Sequence, residues 1–209
     1  MEHGIPASSD RGGLYRIRPA RSRARILCLF VICVFPFRPA IIAQTRTASE
    51  YEVKAAFLYN FAKFVEWPPS VFTDPKQPFN ICILGADPFG HSLDDAVLGK
   101  TVANHPVSLV RAHQFQELLD CHILFVAGSQ RPPLSEILGK FHGKNVLIVG
   151  ESENFASSGG TIQFVLEGNH IRFAINPDAA ERAGLKISSK LLALAVVVRD
   201  SQERAGEKR

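Results

Sequence analysis

The sequence predicts an α/β protein, a single three-layer domain with a mostly parallel central sheet, a C-terminal antiparallel hairpin and flanking helices. Three observations carry this. Short apolar runs bounded by Gly, Asp and Pro recur at residues 79–85, 107–110, 121–126 and 145–149, the pattern of buried strands. Helical segments with their own stop signals separate the runs, as a parallel sheet covered on both faces requires. Residues 161–166 and 170–175 instead alternate apolar with polar about Glu167-Gly168-Asn169, which reads as a hairpin with one apolar face.

The chain opens with an export pattern. Arg21, Arg23 and Arg25 run into an apolar block at residues 26–37, and Ala43 follows two isoleucines. A basic flank, a short apolar core and a small residue at the cut make a secretory signal peptide over residues 1–43. The rival reading is an uncleaved anchor, although about 20 apolar residues are needed for a span. Residues 44–48 are then a polar lead-in, 49–198 the domain, and 199–209 a charged tail expected to be disordered.

This division changes the charge argument. The whole chain carries +4, but seven arginines and two acids precede Gln44. Removing them from 24 basic and 20 acidic residues leaves 17 against 18, a net −1. The basic character belongs to the targeting segment, which excludes nucleic acid as an expected partner. The cysteines divide likewise. Cys28 and Cys33 lie in the apolar block, while Cys82 and Cys121 remain as an even pair in an oxidising compartment. A disulfide between them is the default, and it would make their two strands neighbours.

The elements follow from local signals. Ser49 reads as an N-cap of a helix reaching residue 67, with Glu50 and Glu52 in its first turn and Pro68-Pro69 as the stop. Val53, Phe57, Phe61 and Phe64 form one helical face, expected to be buried. Further helices are expected at 92–98, 114–119, 133–140 and 179–183, the last ended by Gly184. A strongly apolar closing helix is expected at 187–198, capped by Ser188 or Ser189.

No catalytic motif emerges, so no enzymatic activity and no cofactor are expected. The glycines of Gly85-Ala-Asp-Pro-Phe-Gly90 do not match the dinucleotide fingerprint. Cys121 and His122 point to opposite faces of a strand, which makes them poor co-ligands, and no metal site is expected. Gly159-Gly160 reads as a tight turn, Trp67 as a core anchor and Asn176 as a helix cap. Tyr51 and Tyr59 flank the apolar stripe of the first helix and are candidates for partner contact. His170 and Arg172 share one face of the hairpin, with Gln163 opposite, and are candidates for a small-anion or ligand groove.

Taken in order, these motifs carry a resemblance. Lys54-Ala-Ala-Phe-Leu-Tyr-Asn-Phe-Ala-Lys-Phe-Val-Glu-Trp-Pro68 is followed by Ile81-Cys-Ile-Leu-Gly85, Cys121-His-Ile-Leu-Phe125, Gly159-Gly160, Phe173-Ala-Ile-Asn176, Ala183-Gly-Leu-Lys-Ile-Ser-Ser189 and Leu191-Leu192. Over about residues 49–198 the chain resembles the YfiR family of periplasmic regulators. An acidic residue often stands in that family where Ala174 is here. The resemblance implies a non-catalytic, exported protein in the periplasm, or one anchored N-terminally in the inner membrane and facing it. It implies regulation of an inner-membrane signalling enzyme, a diguanylate cyclase, and hence cyclic-di-GMP signalling. An outer-membrane lipoprotein is implied as a second partner, and a homodimer is compatible with it. The alternative function is a periplasmic small-molecule-binding or transport accessory protein.

Overall fold

The computed structural model describes residues 40–114, 117–118, 120–128 and 133–200, with side chains of the first helix described from residue 50. The export segment up to residue 39, the tail 201–209 and part of the expected helix at 114–119 lie outside the described residues.

The core of the domain is built from strand sequences that send side chains both ways. In β2 (Phe79–Leu84), Phe79, Ile81 and Ile83 enter one apolar cluster, while Cys82 and Leu84 enter a second on the opposite face. β5 (Ile123–Val126) and β6 (Leu147–Gly150) divide in the same way. A strand apolar on both faces needs cover on both, and helices supply it. α1 (Ala40–Phe64) and α2 (His91–Val97) contribute to the first cluster, and α3 (Leu134–Phe141) to the second.

The remaining strands are β1 (Val65–Glu66), β3 (Thr101–Val102), β4 (His105–Ala112), β7 (Ile162–Glu167), β8 (His170–Ile175), β9 (Lys186–Ile187) and β10 (Val196–Val197). The main sheet has the order β10-β8-β7-β6-β5-β2-β4-β3. Its pairs are parallel except β3–β4 and the hairpin β7–β8. β4 lies on one side of β2 and β5 on the other, so the strand order reverses between β2 and β5. In doubly wound sheets of this kind ligands favour the crevice outside the carboxyl ends at that point. β1 and β9 form a separate antiparallel pair.

The expected disulfide is present. Cys82 and Cys121 are bonded with Cα atoms 5.8 Å apart, both are buried, and β2 and β5 are hydrogen-bonded neighbours. Asn176 caps α4 (Pro177–Arg182) by accepting the Ala179 amide hydrogen at 3.1 Å, and Gly184 ends that helix at φ +67°. Gly160 has a further reason beyond its turn. A Cβ there would stand 2.2 Å from the Phe155 ring, and one on Gly150 would stand 2.4 Å from it, so the ring lies between two glycines.

Four expectations are corrected. α1 does not start at Ser49 but is already helical at Ala40, since residues 40–49 contain neither Gly nor Pro to stop it. It ends at Phe64, where Val65 and Glu66 pair with β9, three residues before Trp67. Its buried stripe is Ala55, Leu58, Phe61 and Ala62, which keeps Phe61 of the expected face but is rotated from the rest of it. Val53 and Phe64 are 42% and 37% exposed, and Phe57 is half-buried. Finally, the closing helix over 187–198 shrinks to α5 (Ser189–Leu192), capped by Ser188, whose hydroxyl accepts from the Leu191 amide at 3.3 Å. Beyond it Val196 and Val197 pair in parallel with Ala174 and Ile175. β-Branched residues at the open edge of β8 gain a ladder there that a helix would forgo.

Candidate functional site

The carboxyl-end crevice of the sheet is occupied by the chain's own first helix. Glu151 directly follows β6, and Gly128 follows the end of β5, where an added Cβ would lie 3.8 Å from the Glu151 carboxylate. The phenol of Tyr51 donates to both Glu151 oxygens, at 3.0 and 3.2 Å. The ammonium of Lys54, 5% exposed as a residue, bonds Glu151 at 2.6 Å and Glu50, one helical turn earlier, at 2.5 Å. It also lies 4.4 Å above the Tyr51 ring. Burial first, then the charge of Glu151, pushes the Tyr51 hydroxyl well above its ordinary range, so it remains a donor.

The loop after β2 closes the other side. Phe89 meets Tyr51 edge-on at 5.4 Å and Phe125 at 4.7 Å. Asp87 of that loop accepts the Phe89 amide hydrogen at 2.7 Å and pairs with Arg111 at 2.6 Å. Arg111 also reaches Asp94 at 2.6 Å, and this contact holds the Asp94 carboxyl below its ordinary range. The glycine-bounded loop is thus tied down by its own acid, which suits a staple better than a phosphate cradle.

The other candidates sit apart from this cluster. Tyr59 is half-exposed; its hydroxyl donates to the Thr101 carbonyl at 3.3 Å, and Lys63 lies 5.5 Å from its ring. His170 and Arg172 share the outer face of the hairpin, across from Glu167 and Val165. Arg172 is 3.7 Å from Glu167, with both side chains about 60% exposed, so this ion pair contributes little. Gln163 does not join them. Its side-chain oxygen turns to accept the Ala156 amide hydrogen at 3.2 Å. Ala174 is buried between Gln163 and Val196 in the ladder. Neither His170 nor Arg172 lines the cavity of about 110 Å³ beside Leu138, Thr161 and Arg182, nor the one of about 200 Å³ beside Val71, Asp120 and His122. Trp67 packs edge-on against Phe79 at 5.0 Å and donates its indole N–H to the Asn145 carbonyl at 3.1 Å.

Sequence reasoning missed the ionic cluster, though one signal was available. Lys54 falls on the buried stripe of α1, and Glu50 stands four residues before it. A lysine inside an apolar stripe demands a buried partner. Glu151, 97 residues away, carries no such signal.

Among the described residues no group of three His, Cys, Asp or Glu side chains is placed to hold a metal ion, and no helix is long and apolar enough to cross a membrane. Fold and site together define a disulfide-linked, doubly wound α/β domain whose carboxyl-end crevice is plugged by its own helix. The chain belongs to the YfiR/HmsC-like family (DUF4154), whose family model matches residues 51–196.

Proposed function

We propose that this chain is a non-catalytic periplasmic regulator that binds the periplasmic part of an inner-membrane signalling enzyme, a diguanylate cyclase, and restrains it. An outer-membrane lipoprotein is the second partner, competing for the regulator. Membership of the YfiR/HmsC-like family supports the class of function. The observation that carries the docking surface is the outer face of α1. Val53, Ala56 and Phe64 lie on one exposed face of the helix and leave apolar groups at the surface, bordered by Phe57, whose ring packs on Phe164 and Phe173. Tyr59 lies beside this stripe, whereas Tyr51 turns to the opposite side of the helix, toward Glu151. Anchoring side chains of this type typically carry about 2 kcal/mol or more each in an interface.

The test joins a pull-down from envelope extracts to cellular cyclic-di-GMP. Deleting the protein is expected to raise cyclic-di-GMP. Val53→Glu and Tyr59→Ala are expected to weaken capture of the cyclase at least tenfold while melting as the wild type does. Unchanged cyclic-di-GMP on deletion refutes the regulatory role. Normal capture by both variants removes α1 as the docking face.

A further inference from the structure

A second arrangement lies at the opposite, amino-terminal edge of the parallel strands, remote from the ionic cluster. In the loop between Trp67 and β2, Phe72 stacks against two imidazoles. His105 lies 4.3 Å from it at an interplanar angle of 16°, and His122 lies 5.1 Å away at 7°. His122 also stacks on Phe79 at 4.7 Å, and Phe72 and Phe79 themselves lie 6.3 Å apart. Both histidines are buried, His122 to 2% exposure. His105 donates from Nδ1 to the Gln77 carbonyl at 2.7 Å, closing the far end of the loop. His122 Nδ1 accepts the Asn80 amide hydrogen at 3.0 Å, which places the proton of the neutral ring on Nε2. That Nε2 is buried and has no hydrogen-bond partner.

We infer that this His–Phe–His stack is an acid-sensitive latch that holds the loop spanning residues 68–78 and releases it when His122 takes up a proton. Protonation would turn Nδ1 into a donor facing the Asn80 N–H and would place a charge against two phenylalanine rings without an acceptor for either ring hydrogen. The charged groups around the ring do not relieve this. His105 opposes a second positive charge from β4, and Lys144 lines the adjoining cavity from the approach to β6. Asp120, on the turn before β5, is the one acid that favours the charge, and it is solvent-exposed. Within the loop, Asp74 is engaged locally with the Lys76 amide at 2.8 Å. Phe79 supplies only apolar contact.

Burial, followed by the charge of His105, lowers the latched His122 from the ordinary 6.5 to about 4. A released His122 regains the ordinary value. The open-to-closed ratio is therefore flat above about pH 6.5, rises as pH falls below it, and levels off below about pH 4. The expected rise is roughly 30-fold at pH 5 and approaches about 300-fold at the plateau. The latch stands independently of the regulatory reading, because its test needs no partner.

The measurement is hydrogen exchange of the purified protein, corrected for the intrinsic pH dependence, together with emission of Trp67, the only tryptophan of the chain. Peptides covering 68–78 should exchange at least tenfold faster at pH 5 than at pH 7.5, while β5 and β6 stay protected. Trp67 emission should change with a midpoint between pH 4 and 6.5. His122→Phe keeps a stacking ring without a proton site and should abolish both changes. Equal loop protection at pH 7.5 and 4.5 in the wild type overturns the inference, as does an unaltered transition in His122→Phe. Should that variant fail to fold, the His122 ring resonance in the wild type decides: titration near 6.5 with the loop still protected also overturns it.

Discussion

Breaking the Cys82–Cys121 bond is expected to cost about 4 kcal/mol. The two residues are 39 apart in sequence, and opening a loop of that length restores chain entropy of roughly 13 cal/mol/K to the unfolded state. The loop contains α2, β3 and β4, so the bond ties the central strand β2 to the start of its neighbour across an entire excursion of the chain. For a domain of this size about 1 kcal/mol shifts the melting temperature by roughly 2–4 °C, so the expected fall is about 8–16 °C. The assay is calorimetry on three samples: oxidised protein, protein reduced and held with dithiothreitol, and the double variant Cys82→Ala, Cys121→Ala. Alanine is preferred to serine because both sites are buried and a hydroxyl would add its own desolvation cost. Reduced protein and the double variant should melt close together, the variant somewhat lower for the lost sulfur packing. Two titratable thiols in natively purified protein, or a reduced form melting within 2 °C of the oxidised one, would refute the reasoning.

Three further outcomes follow from the packing. Gly160→Ala should destabilise by about 2–4 kcal/mol in denaturant titration, because its Cβ meets the Phe155 ring at 2.2 Å; Gly128→Ala, with its nearest contact at 3.8 Å, should change stability far less. Glu151→Ala leaves the buried Lys54 with Glu50 alone and should cost about 3–5 kcal/mol, whereas Glu151→Gln, which retains an acceptor for Tyr51, should cost clearly less by the same measurement. Arg172→Ala should leave thermal melting within about 0.5 kcal/mol of wild type, since its ion pair with Glu167 is long and exposed. An accompanying loss of regulation in the cell would establish the hairpin face as a ligand or partner surface, and normal regulation would leave it a solvated face.

The sheet was legible because its strands are apolar on both faces, and residues 79–84 or 123–126 admit little else. The hairpin at 162–175 was legible from its period of two. What escaped reading depends on partners distant in sequence. Val53, Phe57, Phe61 and Phe64 satisfy a helical period, yet only Phe61 of the four is fully buried, because the sheet takes the stripe of Ala55, Leu58 and Ala62, on which Lys54 finds Glu151. Residues 193–198 look helical by apolar content, but the chain turns at 193–195 and the free edge of β8 captures Val196 and Val197 as a strand. The turn at Ala103-Asn104 lacks the usual glycine, so the β3–β4 hairpin gave no local signal, although both residues adopt positive φ. The two histidines of the latch stand 17 residues apart, His105 at the start of β4 and His122 just before β5, two strands that are not adjacent to one another in the sheet. Only the fold brings both against the Phe72 ring.

The end of the domain sets a practical limit on engineering. After β10 the chain is clasped to α4: Arg199 pairs with Asp178, and Asp200 bonds both the buried Asn176 amide and Arg182. A fusion joint or affinity tag placed at residue 198 would strip the cap residue of that helix of a partner and expose the edge of β8 to fraying. Moved a few residues further along, the same joint would leave the clasp untouched.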